Sequence, residues 1–193
     1  MRLKLKLLFL LLRRSVLRSP CPDITQSILR LRVTFSDCGW RSMTNDRYHA
    51  IMDIGRLDLL LRFYSLPRLL WHRIHPFVYT VDIKYRKQLR CYQRYTLMTL
   101  LVGYDRQYFW LEHYFAVEGE VVAMAVSRNG LLYRGKLMPP TEQMKDIDRW
   151  TDLKVYLKKV RPTVDATLNF LNHRRRDIVQ QLKQYYATSK NPA

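Results

Sequence analysis

The chain has 193 residues, enough for one domain with extensions and a real hydrophobic core. Hydrophobic residues make up 48 % and aromatics 12 %, which excludes an intrinsically disordered chain. The formal net charge of +18, from 34 Lys and Arg against 16 Asp and Glu, asks for an anionic neighbour, whether nucleic acid, an anionic membrane surface or acidic protein.

Residues 1–22 form a basic leader. Arg2, Lys4, Lys6, Arg13, Arg14 and Arg18 all precede the first acidic residue, Asp23. The apolar run 7–12 is far short of the roughly 20 residues that a membrane-spanning helix needs, so no transmembrane span is expected. An Arg-rich, acid-free, amphipathic start has the composition of a mitochondrial presequence, which places the protein in the mitochondrion. The alternatives are a basic amphipathic helix retained on the mature chain, and a secretory or anchor segment.

Pro20 and Pro22 separate the leader from a strand at 28–35, where Leu29, Leu31, Val33 and Phe35 alternate with Arg30, Arg32 and Thr34. A loop at 36–43 carries Asp37, Gly39 and Trp40. Thr44 or Asn45 then caps a long helix, either side chain being able to accept a first-turn N–H. Tyr48, Ile51, Met52, Gly55, Leu59 and Arg62 fall on one face of that helix. Gly55 costs about 1 kcal/mol against Ala in mid-helix, which is explained by close packing on a sheet.

Pro67 opens a second short helix over 68–73, and Pro76 ends the helical region. Strands follow at 77–85, 92–102, 107–117 and 121–128, with turns at 103–106 and at Glu118-Gly119. The dipeptide Asn129-Gly130 predicts a tight turn into a last strand at 131–137, and Pro139-Pro140 closes a domain spanning 28–140. The extension 141–193 is helical and basic: Thr141 caps a short helix, the 146–159 stretch is charged, and Pro162 sits at a helix start. Val164, Leu168, Leu171, Ile178, Leu182 and Tyr185 mark an amphipathic helix of about six turns, with Arg174, Arg175 and Arg176 in its middle.

Cys21, Cys38 and Cys91 have no CxxC or Cys/His spacing, and an odd count reads as reduced thiols in a reducing compartment. His49, His72, His75 and His113 show no metal-ligand spacing, so no metal is expected and all four read as structural or surface residues. The chain has no GxSxG, Walker or GxGxxG motif to support a serine hydrolase or nucleotide enzyme.

A strand, a loop, a long central helix and a meander of strands is the order of a hotdog fold, an α+β architecture in which an antiparallel sheet wraps the helix. Over roughly 31–144 the chain resembles the 4-hydroxybenzoyl-CoA thioesterase-like branch of the hotdog thioesterases. MDIGRLDLLLR in the helix, VDIKYRKQLR, LVGYDRQYFWLEHYF and LYRGKLMPP carry the likeness beside the pre-helix loop. That loop in the family reads approximately D-x-D-x-x-x-H-x-N-N-x-x-Y; here it is DCGWRSMTNDRY, one residue shorter. Asp37, Asn45 and Tyr48 match the first Asp, the second Asn and the Tyr. The second Asp falls on Cys38 or Gly39, the His on Ser42 and the first Asn on Thr44. The resemblance implies a catalytic set of Asp37, Asn45 and Tyr48 acting on an acyl-CoA thioester without a cofactor, in a homo- or heterodimer formed through the sheet. Asp37 would be nucleophile or base and the helix start would polarise the carbonyl. On the residues alone, Asp37 also reads as a turn-forming Asp, Asp46 as a complement to the helix dipole, and Tyr48 as helix–sheet packing.

Two basic regions complete the reading. Thr44 with Lys84, Arg86 and Lys87 would hold substrate, the cations taking the coenzyme A phosphates. Arg90, Arg94, Arg174, Arg175 and Arg176 would neutralise RNA or another partner, with Tyr85, Tyr92 and Tyr95 available to stack. Coenzyme A needs only a few cations, so the surplus charge supports a second function: a catalytically inactive structural subunit of a mitochondrial complex, such as a mitoribosome, its assembly intermediate or a respiratory complex.

Overall fold

The computed structural model describes residues 25–64, 66–143 and 178–182. The leader, Cys21, most of the C-terminal extension and Arg174, Arg175 and Arg176 lie outside the described residues. Strand β1 (Gln26–Arg32) leads through a 3-10 turn (Phe35–Asp37) to helix α1 (Asn45–Phe63) and a short helix α2 (Leu66–Trp71). Strands β2 (Ile74–Tyr85), β3 (Arg94–Tyr104), β4 (Phe109–Val117), β5 (Glu120–Tyr133) and β6 (Lys136–Met138) follow, then a turn of helix α3 (Pro140–Gln143). All pairings are antiparallel, in the order β1-β3-β4-β5-β2, with β6 beside β5. The sheet curls round α1, which is the hotdog arrangement.

The central strands β3, β4 and β5 bury both faces. On the inner face Tyr95, Leu97, Phe115, Ala123 and Ala125 pack against Tyr48, Ile51, Met52 and Ile54 of α1. The alternate residues, among them Met98, Leu100, Trp110, Tyr114 and Met124, form a second apolar layer on the outer face. Ile178 and Leu182 of the helical segment 178–182 are fully buried in that outer layer. So β3 to β5 read as near-continuous apolar runs rather than clean alternations, as strands covered on both sides do.

Several boundaries differ from the sequence expectation for local physical reasons. The first strand stops at Arg32, because Thr34 opens the 3-10 turn and turns Phe35 out to solvent. Pro76 lies inside β2 rather than before it, which the outermost strand of a sheet tolerates. Asn129-Gly130 is not a turn: β5 runs through it, and Gly130 is needed because the Phe77 ring occupies the space of a Cβ. The reversal comes instead at Arg134 and Gly135, whose φ values of 49° and 82° fit a tight hairpin. The cysteine reading is also corrected, since Cys38 and Cys91 are joined by a disulfide with Cα atoms 6.0 Å apart.

At Gly55 the helix meets β3 so closely that a β-carbon would overlap the Thr99 hydroxyl and come within 2.9 Å of Leu97. Gly55→Ala should therefore destabilise by roughly 1–3 kcal/mol, although Ala is the better helix former by about 1 kcal/mol. Denaturant unfolding checks the sign. Replacing Ile178 and Leu182 together by Ala should lower the melting temperature, at roughly 2–5 kcal/mol per buried site, and promote self-association visible by light scattering.

Candidate active site

The loop before α1 is fixed at both ends. Asp37 is 3 % exposed, and its Oδ2 accepts hydrogen bonds from the Thr34 backbone N–H (2.9 Å) and hydroxyl (2.6 Å). The Asp37 carbonyl accepts the Thr44 N–H at 3.1 Å, which closes the loop at the helix start. From the other side the loop is zipped to the β2–β3 connection: Met43 N–H donates to Leu89 O at 2.8 Å and Cys91 N–H to Arg41 O at 3.1 Å. The Cys38–Cys91 bond adds a covalent tie at the same place.

Thr44 is the N-cap residue of α1, but its hydroxyl donates to the Asp46 carboxylate instead of accepting a backbone N–H. That hydroxyl, followed by Arg47, holds Asp46 below the usual carboxylate range. Asn45 begins the helix on an exposed flank. Tyr48 is buried, wedged edge-on against Tyr85 and Phe115 with ring centroids 5.0 Å away in each case. Its hydroxyl accepts the Leu89 N–H at 3.2 Å, and burial pushes its pKa up. Tyr48 thus anchors helix to sheet and to the β2–β3 connection. Tyr95, buried beside Asp37, is pushed up mainly by desolvation and then by that carboxylate.

An open groove of about 1300 Å³ runs outside the loop, lined by Phe35, Trp40, Arg41, Lys87, Arg90 and Tyr92 among others. Trp40 is 93 % exposed there. Of the expected basic residues, Lys87 and Arg90 face this groove, and Lys87 is paired with Glu120 at 2.7 Å. Arg86 is exposed beside them, while Lys84 and Arg94 are exposed on β2 and β3 outside the groove lining. Arg41 joins the groove without having been singled out by its spacing.

Beneath the middle of α1 lies a buried polar row that the sequence reading missed. His113 Nδ1 is 3.2 Å from the Thr99 hydroxyl and its Nε2 is 3.0 Å from the Ser127 hydroxyl. Asn129 Nδ2 donates to the same hydroxyl at 2.8 Å, leaving Asn129 Oδ1 without a partner. Desolvation, and then the charge of Arg56, hold His113 well below its usual pKa, so it is neutral. Ser27 donates to Asp58 at 2.6 Å, and Arg62 approaches the same carboxylate at 3.4 Å. The available signal was polar residues in apolar strand centres: Thr99 in LMTLL, His113 in LEHYF and Ser127 in AVSRN.

Among the described residues no cluster of His, Cys, Asp and Glu could hold a metal. No helix among them is long and apolar enough to cross a membrane. Tyr48→Phe keeps the packing but strands the Leu89 N–H, so it should cost about 1–3 kcal/mol in equilibrium unfolding and loosen the loop in hydrogen exchange.

The model of the thioesterase-like superfamily matches residues 33–150. Solved structures of similar fold include a 4-hydroxybenzoyl-CoA thioesterase variant complexed with 4-hydroxybenzoyl-CoA, at 13 % identity and TM-score 0.55, covering 63 % of this chain and 97 % of that one. The probable thioesterase YbaW of Escherichia coli gives 20 %, 0.53, 64 % and 98 % for the same quantities. The DHNA-CoA thioesterase of Staphylococcus aureus gives 14 %, 0.57, 77 % and 94 %. No curated protein sequence matches the chain. The sheet wrapped on α1, the family match across most of the folded part and these structural likenesses agree: this chain belongs to the thioesterase-like superfamily and has its hotdog fold.

Proposed function

We propose that the protein binds acyl-CoA thioesters at the start of α1 and hydrolyses them, with Asp37 as the carboxylate that activates water. The observation that carries this reading is the placement of a buried, hydrogen-bonded Asp37 in the loop that runs directly into the helix N-terminus. Two hydrogen bonds from Thr34 fix its direction. First-turn N–H groups of α1 supply the dipole end that polarises a thioester carbonyl. Asn45 orients the acyl group from the exposed flank, and Tyr48 acts through the loop it anchors. Arg41, Lys87 and Arg90 in the groove suit the phosphates of coenzyme A, with Trp40 as an apolar wall. Two copies pair through β2, a 12-residue outermost strand that shows Val78, Tyr79 and Tyr85 to solvent.

One observation favours a second reading. The Thr34 bonds also make Asp37 the partner of the N-cap Thr34 in a capping box at the 3-10 turn, a structural task that needs no chemistry. In that case the chain is a non-catalytic subunit of a larger assembly, such as a mitochondrial ribonucleoprotein, and the charge of +18 serves its docking. Purified protein assayed against short, long and aromatic acyl-CoAs separates the two. Hydrolysis that falls by about a hundredfold or more in Asp37→Asn, with the fold retained in circular dichroism, supports the enzyme. Absence of turnover together with salt-sensitive co-sedimentation in a large particle supports the subunit.

A further inference from the structure

The buried row under α1 contains an arginine whose hydrogen bonds are incomplete. Arg56 is 7 % exposed, and its Nη1 is paired with the Asp53 carboxylate. Its Nε and Nη2 are buried and have no partner among the described residues. These two nitrogens form the side edge of the guanidinium, the edge whose parallel N–H groups hold an oxygen ligand most firmly. The neighbouring polar groups do not use them: His113 is neutral and spends its ring nitrogens on Thr99 and Ser127. Asn129, at the end of the same row, keeps an unused acceptor in Oδ1. An arginine buried with donors unused is costly, and a bound oxygen removes the cost.

The position of Arg56 along α1 relates this edge to the candidate active site. Asn45, His49, Asp53 and Arg56 follow one another at helical steps of four, four and three, so they lie along one flank of α1. Eleven residues of helix place Arg56 about 16 Å along the axis from the helix start. The flank is exposed from Asn45 to Asp53 and becomes buried only at Arg56. An acyl group whose thioester sits at the helix start and whose chain follows this flank ends at Arg56.

We propose that Arg56 reads an oxygen at the far end of the acyl group, so that the preferred ligands are CoA thioesters of oxygenated chains, bearing a terminal hydroxyl or carboxylate, rather than plain alkyl chains. This rests on the reading that acyl-CoA binds at the start of α1. The Asp53 pairing already balances the arginine's charge, so a neutral hydroxyl is accepted without a counter-ion. A carboxylate would instead use the full two-point grip.

The test is a calorimetric titration of the full chain with three CoA thioesters of equal chain length, long enough to span from the helix start to Arg56: alkyl, terminal-hydroxyl and terminal-carboxylate. Turnover is measured in parallel. The expected result is tighter binding of at least one oxygenated ligand than of the alkyl one, by roughly tenfold to a hundredfold. Arg56→Met should erase that difference while leaving alkyl binding in place, and Arg56→Lys, a milder change should the Met variant not fold, should reduce it. Equal binding of all three by the unaltered chain overturns the inference. Preference without turnover keeps the inference and rejects the hydrolase. Turnover with equal affinities does the reverse, and binding of none rejects both.

Discussion

The absence of a single β-carbon decides how α1 lies on the sheet, and most of the inner architecture follows from that depth. With Gly55 against Thr99 and Leu97, the helix backbone approaches β3 closely enough for its flanking side chains to reach across. Tyr48, two turns earlier, then lands between Tyr85 and Phe115 and delivers its hydroxyl to the Leu89 N–H. Within the same turn of helix Arg56 comes near His113 and Asp58 meets Ser27. A helix held a side chain's width further out would make none of these polar contacts.

The loop before α1 is built for rigidity more than for reach. Asp37 is held by Thr34, the loop backbone by Leu89 and Cys91, and the two strands of connection by a disulfide. Such fixing is what a hydrolytic carboxylate needs, since a displacement of an ångström is costly when reacting atoms must sit close together. It is equally what a structural corner needs. The polar row deeper under the helix is harder to ascribe to architecture, because apolar residues of similar size would fill the space without leaving Arg56 and Asn129 incompletely paired.

The element order was legible in the helical face from Tyr48 to Arg62 and the run of apolar strands, and the hotdog architecture in the resemblance of that order and of segments such as MDIGRLDLLLR to the thioesterase-like family. Turn chemistry was less legible. Asn129-Gly130 has the composition of a hairpin, yet the Phe77 ring explains the glycine and the real reversal uses Arg134-Gly135. The cysteine pair was not legible either: Cys38 and Cys91 meet only because the loop pairs with the β2–β3 connection, a contact that spacing along the chain does not encode. At the candidate site, Asp37 was readable as both a catalytic and a turn-forming residue, and its geometry serves both. The groove cation Arg41 and the buried Arg56 and Ser127 went unread because the apolar pattern around them dominates, while His113 was read only as a structural or surface residue and Asn129 as part of a turn.

The covering of the outer sheet face has a consequence for how the chain is made. Among the described residues, Ile178 and Leu182 cover the outer face of β3, β4 and β5, and they come well after the last strand. During synthesis the inner core around α1 can close as soon as β5 has emerged, while Met98, Trp110, Tyr114 and Met124 still face water. The nascent domain therefore passes through a half-covered stage with an apolar surface on display, of the sort that chaperones bind and that aggregates nucleate on.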